Sequence, residues 1–174
     1  QPYIGRGEAI VALQKIFNEE AEFSLKNHVA NCFAMACAIS ENNRINNYSA
    51  KSLEKAFFEN LLIQGGYKDS FINKANDIVA QHIYIIKANN YGILKINLEN
   101  IRLAILRQQV KSYNEFSDPC GLILKAMANQ FVNLGDIICT FRCSPQNKEE
   151  FENDLNISFE ICNKISNSQD FEII

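Results

Sequence analysis

The sequence predicts an all-α fold: a single domain of six to seven helices in a bundle-like or orthogonal array, braced by disulfides. Three observations predict it. Apolar residues recur at helical spacing along most of the chain. No hairpin dipeptide stands between segments of alternating polarity. Six cysteines, Cys32, Cys37, Cys120, Cys139, Cys143 and Cys162, are spread over 174 residues, and an even number of them in a modest chain reads as three disulfides.

The elements follow in order. Ile10, Leu13 and Phe17 stand at i, i+3, i+7 and mark a helix from about Arg6 to Phe23. Val29, Cys32, Phe33, Ala36 and Ser40 continue that rhythm in a second helix, ended by the polar stretch from Glu41 to Tyr48. Ser49 or Ser52 caps a third through Leu53, Phe57 and Leu61, stopped by Gly65-Gly66. A fourth, from about Asp69, carries Phe71, Ala75, Ile78, His82 and Ile85 on one stripe. Tyr84-Ile85-Ile86 is β-branched, but the stripe before it favours helix, and Asn89-Asn90-Tyr91-Gly92 breaks the pattern.

A fifth helix, about Ile96 to Tyr113, has two apolar stripes: Leu94, Leu98, Ile101 and Ile105, then Leu103, Leu106 and Val110. A helix apolar on more than one face is expected at the centre of a fold. Asp118-Pro119 reads as a helix start, with Asp as N-cap and Pro at the first position. Ile123, Met127, Phe131 and Leu134 follow, with Ile137 to Cys143 as a continuation or a short separate turn beyond Gly135-Asp136. Ser144-Pro145 repeats the start signal, and Glu149 and Glu150 suit a helix N-terminus. Phe151, Leu155, Phe159 and Cys162 make the last stripe. The helical domain is thus expected over residues 1–165, with a loosely ordered tail at 166–174.

Hydrophobic residues at 47% and charged residues at 21% are those of a globular chain. A net charge of −3 with no run of Lys or Arg argues against nucleic acid or an anionic membrane as partner. No stretch approaches the length of a membrane span. The opening Gln1-Pro2-Tyr3 suggests a mature form whose signal has been removed. Asn47-Tyr48-Ser49 and Asn156-Ile157-Ser158 are N-glycosylation sequons, with Asn47 and Asn156 as acceptors. Cysteines and sequons together place the expected protein in a secreted, extracellular setting.

Cys32 and Cys37 are five apart, so on one helix they point about 140° from each other and cannot pair. The last four cysteines are spaced C-x18-C-x3-C-x18-C, which suits bridges between successive helices. The connectivity stays open. Buried free thiols and a metal site are the alternatives. A zinc site usually shows C-x2-C or paired His, and neither is present. The C-x3-C pair Cys139 and Cys143 resembles that of insect odorant-binding proteins, secreted helical six-cysteine carriers of small apolar ligands. The resemblance spans five residues. That family has one cysteine before the pair and three after, whereas here three precede it and only Cys162 follows.

No catalytic residues and no cofactor are expected. His28 and His82 are 54 positions apart, and neither has a Cys, Ser or carboxylate at a spacing that implies a nucleophile and its base. His82 on its apolar stripe reads as a core histidine. The cluster Glu149, Glu150, Glu152 and Asp154 lacks the alternating oxygens and Gly of a calcium loop. G-x-S-x-G, H-E-x-x-H, C-x-x-C and phosphate-loop motifs are absent. The expected function is therefore binding without catalysis, to a protein partner in the manner of an effector, a venom or saliva component or a cytokine-like ligand. The alternative is carriage of a small hydrophobic ligand in a cavity lined by Phe57, Phe71, His82, Phe131, Phe151 and Phe159. A close-packed Phe-rich core would use the same residues.

Overall fold

A computed structural model describes residues 2–39, 49–112 and 118–162, with Cys37 and Ile39 by backbone alone. The fold is mixed α/β, which overturns the all-α expectation: six α-helices and two antiparallel sheets are present among the described residues. The chain divides into two compact units, Gln1–His82 and Ile83–Ile174. The expected tail at 166–174 lies outside the described residues.

The first unit is mainly helical: β1 (Tyr3–Ile4), α1 (Arg6–Phe17), α2 (Phe23–Ile39), α3 (Ala50–Ile63) and α4 (Lys68–Gln81). Helix α1 is its hub and touches the other three helices. It buries Val11, Ala12, Ile16 and Phe17, a wider face than the single stripe Ile10, Leu13, Phe17. It also stops a turn and a half early, where Glu19 takes a left-handed φ of 60°. The cap of α3 is Ser49. Its hydroxyl accepts from the Ser52 amide at 3.1 Å, and the Ser52 hydroxyl accepts from the Ser49 amide at 3.1 Å, a reciprocal capping box. At the other end Gly65, φ 83°, supplies the left-handed residue that closes the helix.

The second unit carries the sheets. Its elements are β2 (Tyr84–Lys87), β3 (Gly92–Ile96), α5 (Leu98–Lys111), β4 (Gly121–Leu124), β5 (Phe131–Val132), β6 (Ile137–Arg142), a 3-10 turn (Pro145–Asn147), α6 (Lys148–Asn156) and β7 (Phe159–Cys162). β6 lies between β4 and β2, with Leu124 and Ile86 both opposite Cys139. β3 lies between β5 and β7, with Ile96 opposite Phe159 and Ile93 opposite Cys162.

One expected helix is replaced by strands and two others end early, for identifiable reasons. Helix α4 ends at Gln81, and the β-branched run Tyr84-Ile85-Ile86 pairs with β6 instead of extending the stripe to Ile85. The spacing of Ile123, Met127, Phe131 and Leu134 matches a helix by coincidence, because left-handed Asn129 (φ 66°) and Gly135 (φ 89°) break the segment into hairpin-like turns. Gly121-Leu-Ile-Leu is buried at all four positions; a short apolar run of that kind fits a strand buried on both faces as well as a helix turn. Phe159 and Cys162 sit on β7, not on the last helix.

Helix α5 is not central either. Ile101, Ala104, Ile105 and Gln108 are buried, while Leu103, Leu106 and Val110 are exposed. Arg142, only 4% exposed, anchors the end of β6 by donating to the Asp118 carboxylate at 2.6 Å and to its carbonyl at 2.9 Å. Phe141 and Phe151, both fully buried, meet edge to face at 5.7 Å and join the sheet to α6.

Candidate functional site: the exposed apolar helix α2

Helix α2 has the composition of a buried element and the position of an exposed one. From Asn27 to Ile39 it contains no Asp, Glu, Lys or Arg, and its sequence is dominated by Ala, Val, Phe, Met, Ile and Cys. A helix of that kind is normally buried on all sides. Among its described side chains, however, only Leu25 is buried; Val29, Ala30 and Phe33 are half-buried. Asn31, Cys32, Ala34, Met35, Ala36 and Ala38 are exposed, Met35 at 59%. One further polar feature stands out. His28 and Cys32, at i and i+4, place Nε2 and Sγ 3.6 Å apart on this surface. Helical spacing brings the two residues together, although a separation of four in the sequence does not by itself mark a nucleophile and its base.

The expected disulfides are not formed among the described residues. Cys32, Cys120, Cys139, Cys143 and Cys162 are all free thiols, and the side chain of Cys37 lies outside the described residues. The fold explains why. Cys139 is fully buried in the middle of the β4-β6-β2 sheet, where its neighbours across the strands are Leu124 and Ile86. Burial pushes its thiol up to about 12, against a lowering hydrogen bond with the Ile86 backbone. Cys120 is buried beside the Ile105 carbonyl. Burial also raises the Cys143 thiol, opposed by the charge of Lys148 and reinforced by Glu152. Cys162 donates to Glu160 Oε1 at 3.4 Å. Cys139 and Cys143 stand on and just beyond a strand, so the helical C-x3-C of the odorant-binding proteins has no counterpart.

The phenylalanines expected around one cavity are distributed instead. Phe57 and Phe71 pack on each other at 5.1 Å and on Phe17 and Phe58 at 5.3–6.0 Å, filling the space between α1, α3 and α4. Phe151 is sealed against Phe141, Phe131 is half exposed on β5, and Phe159 is half-buried on β7. His82 turns to Glu8. Its Nε2 lies 2.8 Å from Glu8 Oε1, and the two side chains are 5% and 0% exposed. Glu8 sits in the first turn of α1 and His82 caps α4, where the two helix dipoles favour an acid and a base respectively. This buried pair had no signal in the sequence, since its members are 74 positions apart.

A shallow groove of about 450 Å³ runs along α3 and α4, floored by Phe58 and Leu62 and rimmed by Lys51, Lys55 and Glu59. The Lys68 ammonium covers part of that floor, 4.9 Å from the Phe58 ring centre and 2.6 Å from Glu54. Of the two sequon acceptors, Asn156 is exposed at the end of α6 and Asn47 lies outside the described residues. No described helix is long and apolar enough to cross a membrane. The chain matches no protein-family model and no curated protein.

Proposed function

We propose that this is a non-catalytic binding protein whose α2 presents an apolar face to a protein partner. The observation that carries the reading is the exposure of a charge-free helix surface from Asn31 to Ala38. Contiguous exposed apolar surface of this kind marks interaction sites, and an amphipathic or apolar helix face is a common recognition element. Small residues at Ala34 and Ala38 allow close approach, and Met35 supplies an adaptable anchor.

The test is site-specific photo-crosslinking in the full chain, with the crosslinker at position 35 and a control at exposed Glu149. Protein adducts from position 35 alone, lost on Ala34→Asp, are expected. Equal labelling from both positions would remove the reading.

Carriage of an apolar ligand remains the second reading, and the groove floored by Phe58 and Leu62 favours it. Its volume falls in the range of small-molecule sites. A fluorescent fatty-acid probe, displaced by Phe58→Glu, tests it. Placement outside the cell now rests on the sequons, with Asn156 the accessible acceptor, and an enzymatic deglycosylation mass shift tests that placement. The binding role of α2 does not depend on it.

A further inference from the structure

We propose that His28 and Cys32 form half of a zinc site, completed by the same pair from a second copy of the chain, so that α2 joins two copies across a shared Cys2His2 metal. The proposal rests on the reading of α2 as a protein-binding face and names the partner.

The geometry is that of two edges of one coordination sphere. Zinc holds thiolate sulfur at about 2.3 Å and imidazole nitrogen at about 2.0–2.1 Å, so a tetrahedral angle sets sulfur and nitrogen about 3.6 Å apart. The observed Nε2 to Sγ separation is 3.6 Å. Both side chains are exposed, so a metal reaches them without any rearrangement of the core. Two ligands are too few for a structural site, which takes four. Among the described residues no group of three or more His, Cys, Asp or Glu is arranged to hold a metal, and the other two ligands are assigned to a second copy.

A second copy supplies what is missing. A two-fold axis through the metal brings in one more Cys and one more His, giving S2N2. The pair at 28 and 32 also sits near the middle of α2 (Phe23–Ile39), so two helices crossing there overlap along both halves. The stretch from Asn27 to Ile39 carries no Asp, Glu, Lys or Arg, and a face that must meet itself across a two-fold axis then brings no like charges together. Each Cys32 binds as thiolate and gives its proton to solvent. The assembled centre holds Zn²⁺ and two thiolates, is neutral, and suits a charge-free apolar interface.

The experiment uses the full chain, reduced with a phosphine, stripped of metal, and titrated with Zn²⁺ or Co²⁺. Sedimentation velocity is expected to show a dimer at one metal per two chains, reversed by chelator. Cobalt should give the visible d–d bands of a tetrahedral S2N2 site. Cys32→Ser and His28→Asn should each abolish the bands and the metal-driven dimer, with unchanged circular dichroism.

Metal bound one per chain without dimerisation overturns the shared site. So does a dimer dissolved by reductant, which would be a Cys32–Cys32 disulfide. Cobalt bands that survive Cys32→Ser place the metal on another thiol and overturn the assignment. A dimer that forms in chelator, persists in Cys32→Ser and is lost in Met35→Asp removes the zinc and leaves the α2 interface standing. A monomer under all conditions removes the zinc-linked dimer, while crosslinking from position 35 still decides the interface with a different partner.

Discussion

Helix α2 and strand β6 are both apolar segments with a cysteine near their middle, yet they lie at opposite extremes of burial. Cys139 on β6 is sealed between strands on both sides, while Cys32 on α2 faces solvent. Hydrophobicity along the chain is similar in the two, so composition does not decide which segment becomes core. What decides is whether the chain supplies partners. Strands β2 and β4 flank β6 and satisfy its backbone and its side chains together. α2 packs on α1 along one flank and keeps an apolar face uncovered. A segment with core composition that stays exposed along one face is a candidate interaction surface.

The comparison is broken hardest from the buried side. Phe151→Ala removes a fully buried ring from against Phe141 and should cost about 3–5 kcal/mol, read as a lower urea midpoint. Glu8→Ala removes the carboxylate that stands 2.8 Å from the buried His82 ring. Losing one partner of a buried hydrogen bond costs about 1–3 kcal/mol, and Glu8→Gln, which keeps a hydrogen-bond acceptor, should recover part of it. If both Glu8 variants unfold like the wild type, the pair does not hold α1 to α4.

Gly92→Ala tests the second sheet. Gly92 has φ +149°, and a Cβ there would stand 2.5 Å from the Cys162 carbonyl oxygen. The expected loss is about 1–3 kcal/mol from backbone strain alone, with early hydrogen exchange in β3 and β7 as the local sign. An unchanged exchange pattern would mean that the two strands are not held as closely as Ile93 opposite Cys162 requires.

The thiols sharpen the comparison through pH and reactivity. In the unfolded chain Cys139 loses its proton near pH 8.5, a generic value, whereas in the folded chain burial keeps it on to about 12. The native state then binds more protons than the unfolded state in that window, so stability falls as pH rises through it and is fully present below it. The urea midpoint should decline between about pH 8.5 and 12, with a shallower slope in Cys139→Ala. In native alkylation at neutral pH Cys32 should react first and Cys120 and Cys139 last; a Cys139 that reacts as fast as Cys32 would contradict the sealed strand. The smallest effect belongs to the exposed helix. Met35→Asp should change folding stability by no more than about 0.5 kcal/mol while abolishing binding through α2.

Much of the first unit was legible in the sequence because helices are local. Arg6 as a start, Ser49 as a cap and Gly65 as a stop all act within a few residues of themselves, and the structure uses each of them. Ser144-Pro145 likewise opens the turn that leads into α6. The second unit was misread where the same apolar spacing served two periods. Ile123, Met127, Phe131 and Leu134 fit a helix, and only the pairing of Leu122 with Phe141 and of Leu124 with Cys139 made the segment a strand. The β-branched residues Ile85, Ile86, Ile137 and Ile138 were the available signal, outweighed by the stripe that preceded them.

Of the candidate site, the charge-free run of α2 and the four-residue spacing of His28 and Cys32 stand in the sequence by themselves. Their exposure does not. Whether an apolar helix becomes core or surface depends on which other elements reach it, and those elements lie far away along the chain. The same holds for the cysteines: their even number belongs to the sequence, but pairing requires sulfur atoms to meet, and the strands that enclose Cys139 keep it a free thiol. Local signals set where helices begin and end. Long-range packing decided which faces were covered, because burial is a property of two surfaces in contact and not of either segment alone.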